Sequence, residues 1–340
     1  MTKQAPWQIN NPVGRYLSQL IDNDSLSHAY LIYGQSGVGK VDVVEFFLQK
    51  LFCLSTTDKP CAKCSACQQV KSRHLPDVYW IAKANGRQDI LIQQIRDLWA
   101  FVKNRSYSGG WRAVVINLAD DMNAEAANAL LKILEEPAER VIFILVAVNW
   151  RKIPRTIVSR CQLLPLGLMP LAELAKLIEA TGADRQSAGE LAALAGGRVS
   201  RALNWLNNNS EPAARVQLAG KLMAAARQNS WSDWQLLIND YLIKPGDSLS
   251  PAQLCQDLLV VAQEVGQDIL RTKLGLGQFI TYQKYQSELK LLADSWSYQL
   301  LKFWFEQLAT AQTKIMANGN VKLTLECMIA NIIDYDPVRN

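Results

Sequence analysis

The stretch Ala29-Tyr30-Leu31-Ile32-Tyr33-Gly34-Gln35-Ser36-Gly37-Val38-Gly39-Lys40-Val41 decides how the chain folds. Its first five residues read as a buried strand. The next seven fit the phosphate-loop spacing G-x-x-x-x-G-K, and an apolar helical segment follows. Glycines let such a loop turn its amides inward toward phosphate, the helix N-terminus behind it favours an anion, and a lysine can reach the terminal phosphates. Gly34, Gly37, Gly39 and Lys40 are therefore candidate nucleotide-binding residues. The next residue is Val41, where an active loop carries a Ser or Thr hydroxyl on Mg2+, and an isopropyl group coordinates no cation.

Outward from this loop, residues 78–82, 113–118 and 141–148 read as further buried strands between helix-like segments, up to about Leu166. This alternation predicts a parallel α/β sheet. In an ATP site the strand beginning at Ala113 should end in acidic residues, one of them for Mg2+. Here it ends in Asn117 and Leu118, with Asp120 and Asp121 displaced along the chain. The strand period puts Asn117 at the tip. The loop is thus expected to be a degenerate site, a phosphate-shaped turn kept for folding, in which ATP binding is unlikely or vestigial and hydrolysis is lost.

Beyond Leu166 the strand-like runs stop and the chain reads as helices, broken at Gly196 and Gly197, with a polar stretch at 207–212 that suits a linker. The expected division is 1–166, 167–208 and 209–340. In the last part Leu301, Trp304, Leu308, Ala311 and Ile315 recur at helical spacing, as do Val321, Leu325, Met328, Ile332 and Tyr335, and both stripes read as core.

Cys53, Cys61, Cys64 and Cys67 form C-x7-C-x2-C-x2-C, a module at about 53–67. Four soft ligands with no histidine beside them fit a closed structural Zn2+ site. The rival reading, a redox pair, calls for an isolated C-x-x-C opening a helix after a strand. Cys255 and Cys327 read as bystanders in apolar helices, and His28 and His74 as ordinary residues. The chain of 340 residues is 49% hydrophobic and 20% charged, with a formal charge of +5. That charge permits contact with nucleic acid without arguing for it. With no export-type opening and no run of about 18 apolar residues, no membrane association is expected and the cytoplasm is the expected compartment.

Residues 153–161 contain Pro154, Arg155, Ser159, Arg160 and Cys161. An arginine held at the end of a short helix can stabilise transition-state charge at a neighbouring subunit's γ-phosphate, or it can be one half of a surface ion pair. Spacing alone leaves both open.

Several segments together resemble the delta-prime branch of the AAA+ clamp-loader family of bacterial DNA polymerase III. Ala126-Ala127-Asn128-Ala129-Leu130-Leu131-Lys132-Ile133-Leu134-Glu135-Glu136-Pro137 looks like the family's A-N-A-L-L-K-x-L-E-E-P, and Ser159-Arg160-Cys161 its S-R-C. Ile95-Arg96 resembles its I-R helix, the cysteines its zinc module, and Pro6-Trp7 its P-W start. The resemblance is dense from about residue 6 to 166. It implies an AAA+ core, a helical lid and a helical collar that joins subunits into an open ring. It further implies gamma or tau and delta subunits as partners, with the sliding clamp and primer-template DNA met through the complex. In such an assembly the polymerase activity, DNA-directed nucleotidyl transfer, belongs to the holoenzyme. This chain would hydrolyse no ATP itself and would offer Arg160 in trans as an arginine finger. Glu135 and Glu136 would serve packing and subunit contacts.

Departures from the hydrolysing pattern point the same way. Beside Val41, Asn117 and Leu118, the places of the sensor threonines hold Ala147 and Val148, and Ser200 stands at the sensor arginine's place in the lid. The alternative is an ATP-hydrolysing motor subunit. A stand-alone zinc-dependent nucleic-acid binder is disfavoured by the modest charge and by the lack of basic and aromatic residues interleaved around the cysteines.

Overall fold

The computed structural model describes residues 7–83, 89–207, 210–242, 251–317 and 319–335. The chain divides into two compact units. The first comprises residues up to Ala183 together with Gly197–Ala202, and the second Asp184–Gly196 and the chain from Leu203 onward.

The first unit opens with helices α1 (Trp7–Asn10) and α2 (Pro12–Asp22), then runs β1 (Ala29–Tyr33), α3 (Lys40–Phe52), α4 (Ser65–Lys71), β2 (Val78–Ile81) and α5 (Ile92–Lys103). It continues through β3 (Arg112–Asn117), α6 (Ala124–Glu135), β4 (Val141–Ala147), α7 (Arg155–Val158), β5 (Gln162–Pro165) and α8 (Leu171–Glu179). The strands form one sheet in the order β2-β3-β4-β1-β5, and every pairing is parallel. A parallel sheet covered by helices must hide both faces of its central strands. Accordingly every residue of β4 is buried, and in β1 and β3 all but the last. The expected α/β architecture holds, and β3 ends on Asn117 as the strand period requires.

The fifth strand was not anticipated. Gln162–Pro165 pairs with β1 at the sheet edge with a single buried residue, so it carries neither an apolar run nor an alternation to read. Pro165 is tolerated because an edge strand needs fewer ladder donors.

Helix α6 shows how local sequence fixes an element. The side chain of Asn123 caps it by accepting from the Ala126 amide at 2.8 Å, and Ala126, Ala127, Leu130, Ile133 and Leu134 make one buried face.

The second unit contains α9 (Arg185–Ala195), most of α10 (Val199–Asn207), α11 (Ser210–Gln228), α12 (Trp231–Leu242), α13 (Pro251–Lys273), α14 (Gln286–Ser295), α15 (Tyr298–Met316) and α16 (Val321–Ile333). Helix α9 ends where Gly196 enters the left-handed region, as the glycine pair predicts. The polar stretch 207–212, read as a linker, is taken up largely by helix, because α10 runs to Asn207 and α11 begins at Ser210. Positions 208 and 209 lie outside the described residues.

Helix α13 packs against α11, α14 and α15. Trp304 is buried beside Trp234 and Trp296, with ring centroids 6.0 and 5.2 Å away, and its Nε1 donates to the Ala262 carbonyl at 3.2 Å. The first stripe read as core is buried throughout. In the second, Leu325, Met328 and Ile332 are buried while Val321 and Tyr335 are half-buried. Among the described residues no helix is long and apolar enough to cross a membrane.

Candidate functional site

The sheet brings three loops to the C-terminal ends of its central strands: the phosphate loop after β1, residues 118–121 after β3, and residues 148–149 after β4. This edge is where α/β sheets of this kind bind ligands. A bond from the Gly34 amide to the Ala147 carbonyl at 3.2 Å ties the first loop to the end of β4. Gly37 and Gly39 have φ of 79° and 99°, values that glycine reaches without strain and other residues rarely adopt.

Lys40 is buried, and its ammonium is turned onto its own loop. Nζ donates to the Gly34 carbonyl at 2.7 Å and the Gln35 carbonyl at 2.8 Å. Burial lowers its pKa, with the charge of Asp120 acting in the opposite sense. Other groups of the same unit press on the loop. A Cβ placed on Gly39 would lie 2.3 Å from the indole of Trp7, and one on Gly37 would touch the side chains of Arg198 and Arg201. The amide of Ser200 donates to the Gly37 carbonyl at 3.0 Å. Its hydroxyl donates to the Asp42 carboxylate, and Arg198 donates to the Gln35 side chain at 3.2 Å. Sequence reading had placed Ser200 only as a missing sensor and Trp7 only as a motif match.

The acids displaced beyond β3 are engaged elsewhere. Asp120 accepts from the amides of Val148 (3.2 Å) and Asn149 (2.8 Å), and Asp121 pairs with Lys83 at 2.7 Å. Asn117 ends the strand and Leu118 turns left-handed with φ 58°. Val41 offers no magnesium ligand, and β3 ends on a neutral amide followed by an alkyl side chain where an active site carries carboxylates.

The four cysteines converge at a separate place. Cys53 follows α3 and Cys64 caps α4. The four Sγ atoms lie within 4.8 Å of one another, and none of the cysteines is in a disulfide. A tetrahedral ion with bonds of about 2.3 Å spaces its sulfurs by roughly 3.8 Å, so the donor set fits such an ion with small adjustment. Amides already point at the sulfurs, with Cys61 N on Cys53 Sγ and Cys64 N on Cys61 Sγ, both at 3.3 Å. The amides of Lys63 and Cys64 bring the Cys61 thiol down to about 6, whereas burial pushes Cys67 up. A bound cation would hold all four as thiolates.

Arg160 lies just past α7, apart from both groups. Its NH1 donates to the Thr156 carbonyl and its NH2 to Glu135 Oε1, each at 2.9 Å. Neither bond involves the phosphate loop. Cys161 beside it is half-buried, and burial pushes its thiol up to about 12.

A phosphate loop at the end of β1, in a parallel sheet with β1 between β4 and β5, is the fold of a P-loop protein of the AAA+ type. Comparison with known proteins narrows this. A family model described as DNA polymerase III, delta subunit, matches residues 9–169. The delta-prime subunit of Bacillus subtilis is 27% identical over 93% of this chain and 94% of its own length. That of Haemophilus influenzae is 34% identical over 175 residues, so the chain spans about half the length of that relative, 52%. In structure, a gamma subunit-related protein of DNA polymerase III from Thermotoga maritima aligns over 94% of this chain and 98% of its own, with TM-score 0.53 and 17% identity, a likeness of fold. The chain is thus similar to the delta-prime subunits of bacterial DNA polymerase III, in one case over nearly its whole length.

Proposed function

We propose that this chain is a non-hydrolysing subunit of a DNA polymerase III clamp loader that supports ATP turnover by a neighbour through Arg160. The observation that carries this reading is the state of Lys40. Its ammonium is held by the carbonyls of Gly34 and Gln35, next to a valine where the magnesium hydroxyl belongs. Trp7 and Ser200 add weight by occupying the surroundings of Gly37 and Gly39. An arginine partly open to solvent just past a short helix supports the complementary role. At a neighbour's γ-phosphate it would contribute about 10^3 to 10^5 in rate, or roughly 4 to 7 kcal/mol.

The proposed partners are gamma or tau and delta subunits, with the sliding clamp and primed DNA met through the assembly, in the cytoplasm. The proposed division is an AAA+ core at 1–166, a lid at 167–208 and a collar at 209–340. Zn2+ is the proposed occupant of Cys53, Cys61, Cys64 and Cys67, because four cysteine sulfurs gathered within 4.8 Å of one another suit that ion. It would tie the end of α3 to the start of α4 and take no part in chemistry.

The direct test is phosphate release from Mg-ATP by the isolated chain. No turnover above background is expected. Turnover that requires Mg2+ and disappears in Lys40→Ala would replace this reading with that of a motor subunit.

A further inference from the structure

Glu135 is the last residue of α6, 25 positions before Arg160, and the two meet at 2.9 Å between Glu135 Oε1 and Arg160 NH2. Both side chains are partly open to solvent, 46% and 36% exposed. An ion pair in such a setting adds little to stability, so fold stability is a weak account of it. Its geometry suits orientation better. A free arginine side chain samples many rotamers, and here two contacts from different elements fix the guanidinium. NH1 is held by the Thr156 carbonyl of α7, NH2 by the carboxylate at the end of α6. The C-terminal end of α6 is also the negative end of a helix dipole, which favours a cation. Of the five guanidinium N–H groups two are used, and three remain to meet an anion.

We propose that Glu135 is a positioning residue for Arg160, holding the guanidinium in the pose in which its remaining donors meet a phosphoryl group bound by the neighbouring subunit. This rests on the trans-acting role proposed above. Pre-orientation removes an entropy cost at the moment of reaction, and misplacement by about an ångström can cost up to roughly 10^2 in rate.

The experiment compares clamp-stimulated ATP hydrolysis by the reconstituted complex carrying Glu135→Ala, Glu135→Gln, Arg160→Ala or the Glu135→Ala/Arg160→Ala pair, with kcat expressed per assembled complex. Glu135→Ala is expected to lower kcat roughly tenfold with KM little changed. Glu135→Gln, which keeps an acceptor oxygen, should recover most of the rate, and the double variant should be no slower than Arg160→Ala alone. An unchanged or raised kcat in Glu135→Ala, or a further loss in the Arg160→Ala background, overturns the positioning role. An Arg160→Ala complex that hydrolyses ATP at the wild-type rate instead overturns the trans-acting reading beneath it.

Discussion

The chemistry of the phosphate loop is decided one side chain at a time. Val41 and Asn117 were readable directly, because whether a group can ligate Mg2+ depends on its own atoms. Trp7 against Gly39, Ser200 on Asp42 and Glu135 on Arg160 were not readable. The partners in the last two pairs are 158 and 25 positions apart, and no local period joins them. The Trp7 contact makes a residue-scale prediction. Gly39→Ala places a methyl against the indole at a backbone φ of 99°, so a loss of about 2 kcal/mol or more is expected in denaturant melts. Adding Trp7→Ala should relieve the steric part and leave the strain. Equal costs in the two backgrounds would show that the contact is not tight.

At the scale of elements, strands buried on both faces were legible because β1, β3 and β4 are continuous apolar runs, while β5 escaped because an edge strand has little to hide. A second feature invisible in the sequence is the anchor of the loop that leads into β3. The buried Asp77 accepts from the amides of Tyr107 at 2.7 Å and Ser108 at 2.9 Å. Burial alone would raise its pKa, but these amides and the Ser108 and Ser106 hydroxyls outweigh it and hold the carboxyl below the usual carboxylate value. A depressed folded pKa stabilises the fold above the unfolded value of about 3.9, and that stabilisation fades as pH falls through the folded value. Asp77→Ala is therefore expected to cost about 1 to 3 kcal/mol at neutral pH. Acid titration of its stability should be flatter than wild type below about pH 4, and parallel curves would remove Asp77 from the account.

The cysteine module belongs to the same scale. Its spacing was legible because each x2 interval turns the chain once around one point, and the four Sγ atoms do converge. Stoichiometric Zn2+ in the purified chain is expected, and stripping it with a chelator should loosen α4, which Cys64 caps. Hydrogen exchange reads this directly. Faster exchange confined to about residues 53–71 fits a structural ion, whereas a metal-free chain with full protection there does not.

For the whole molecule, the sheet unit holds every candidate site, and the helical unit is organised around α13 and the tryptophans packed beside it. The helical nature of the second unit was legible from its 3.6-residue stripes. Which helices would pack together was not, because any amphipathic helix can cover another. On the proposed function, the subunit would spend no ATP of its own and would act on a neighbour's. Its most direct test is clamp-stimulated ATP hydrolysis by the complex reconstituted with its partners, with Arg160→Ala and Lys40→Ala compared with wild type at equal assembly. The account predicts a loss of about 10^3-fold or more at the site Arg160 serves and little change for Lys40→Ala. A severe loss for Lys40→Ala with Arg160→Ala near wild type would contradict it.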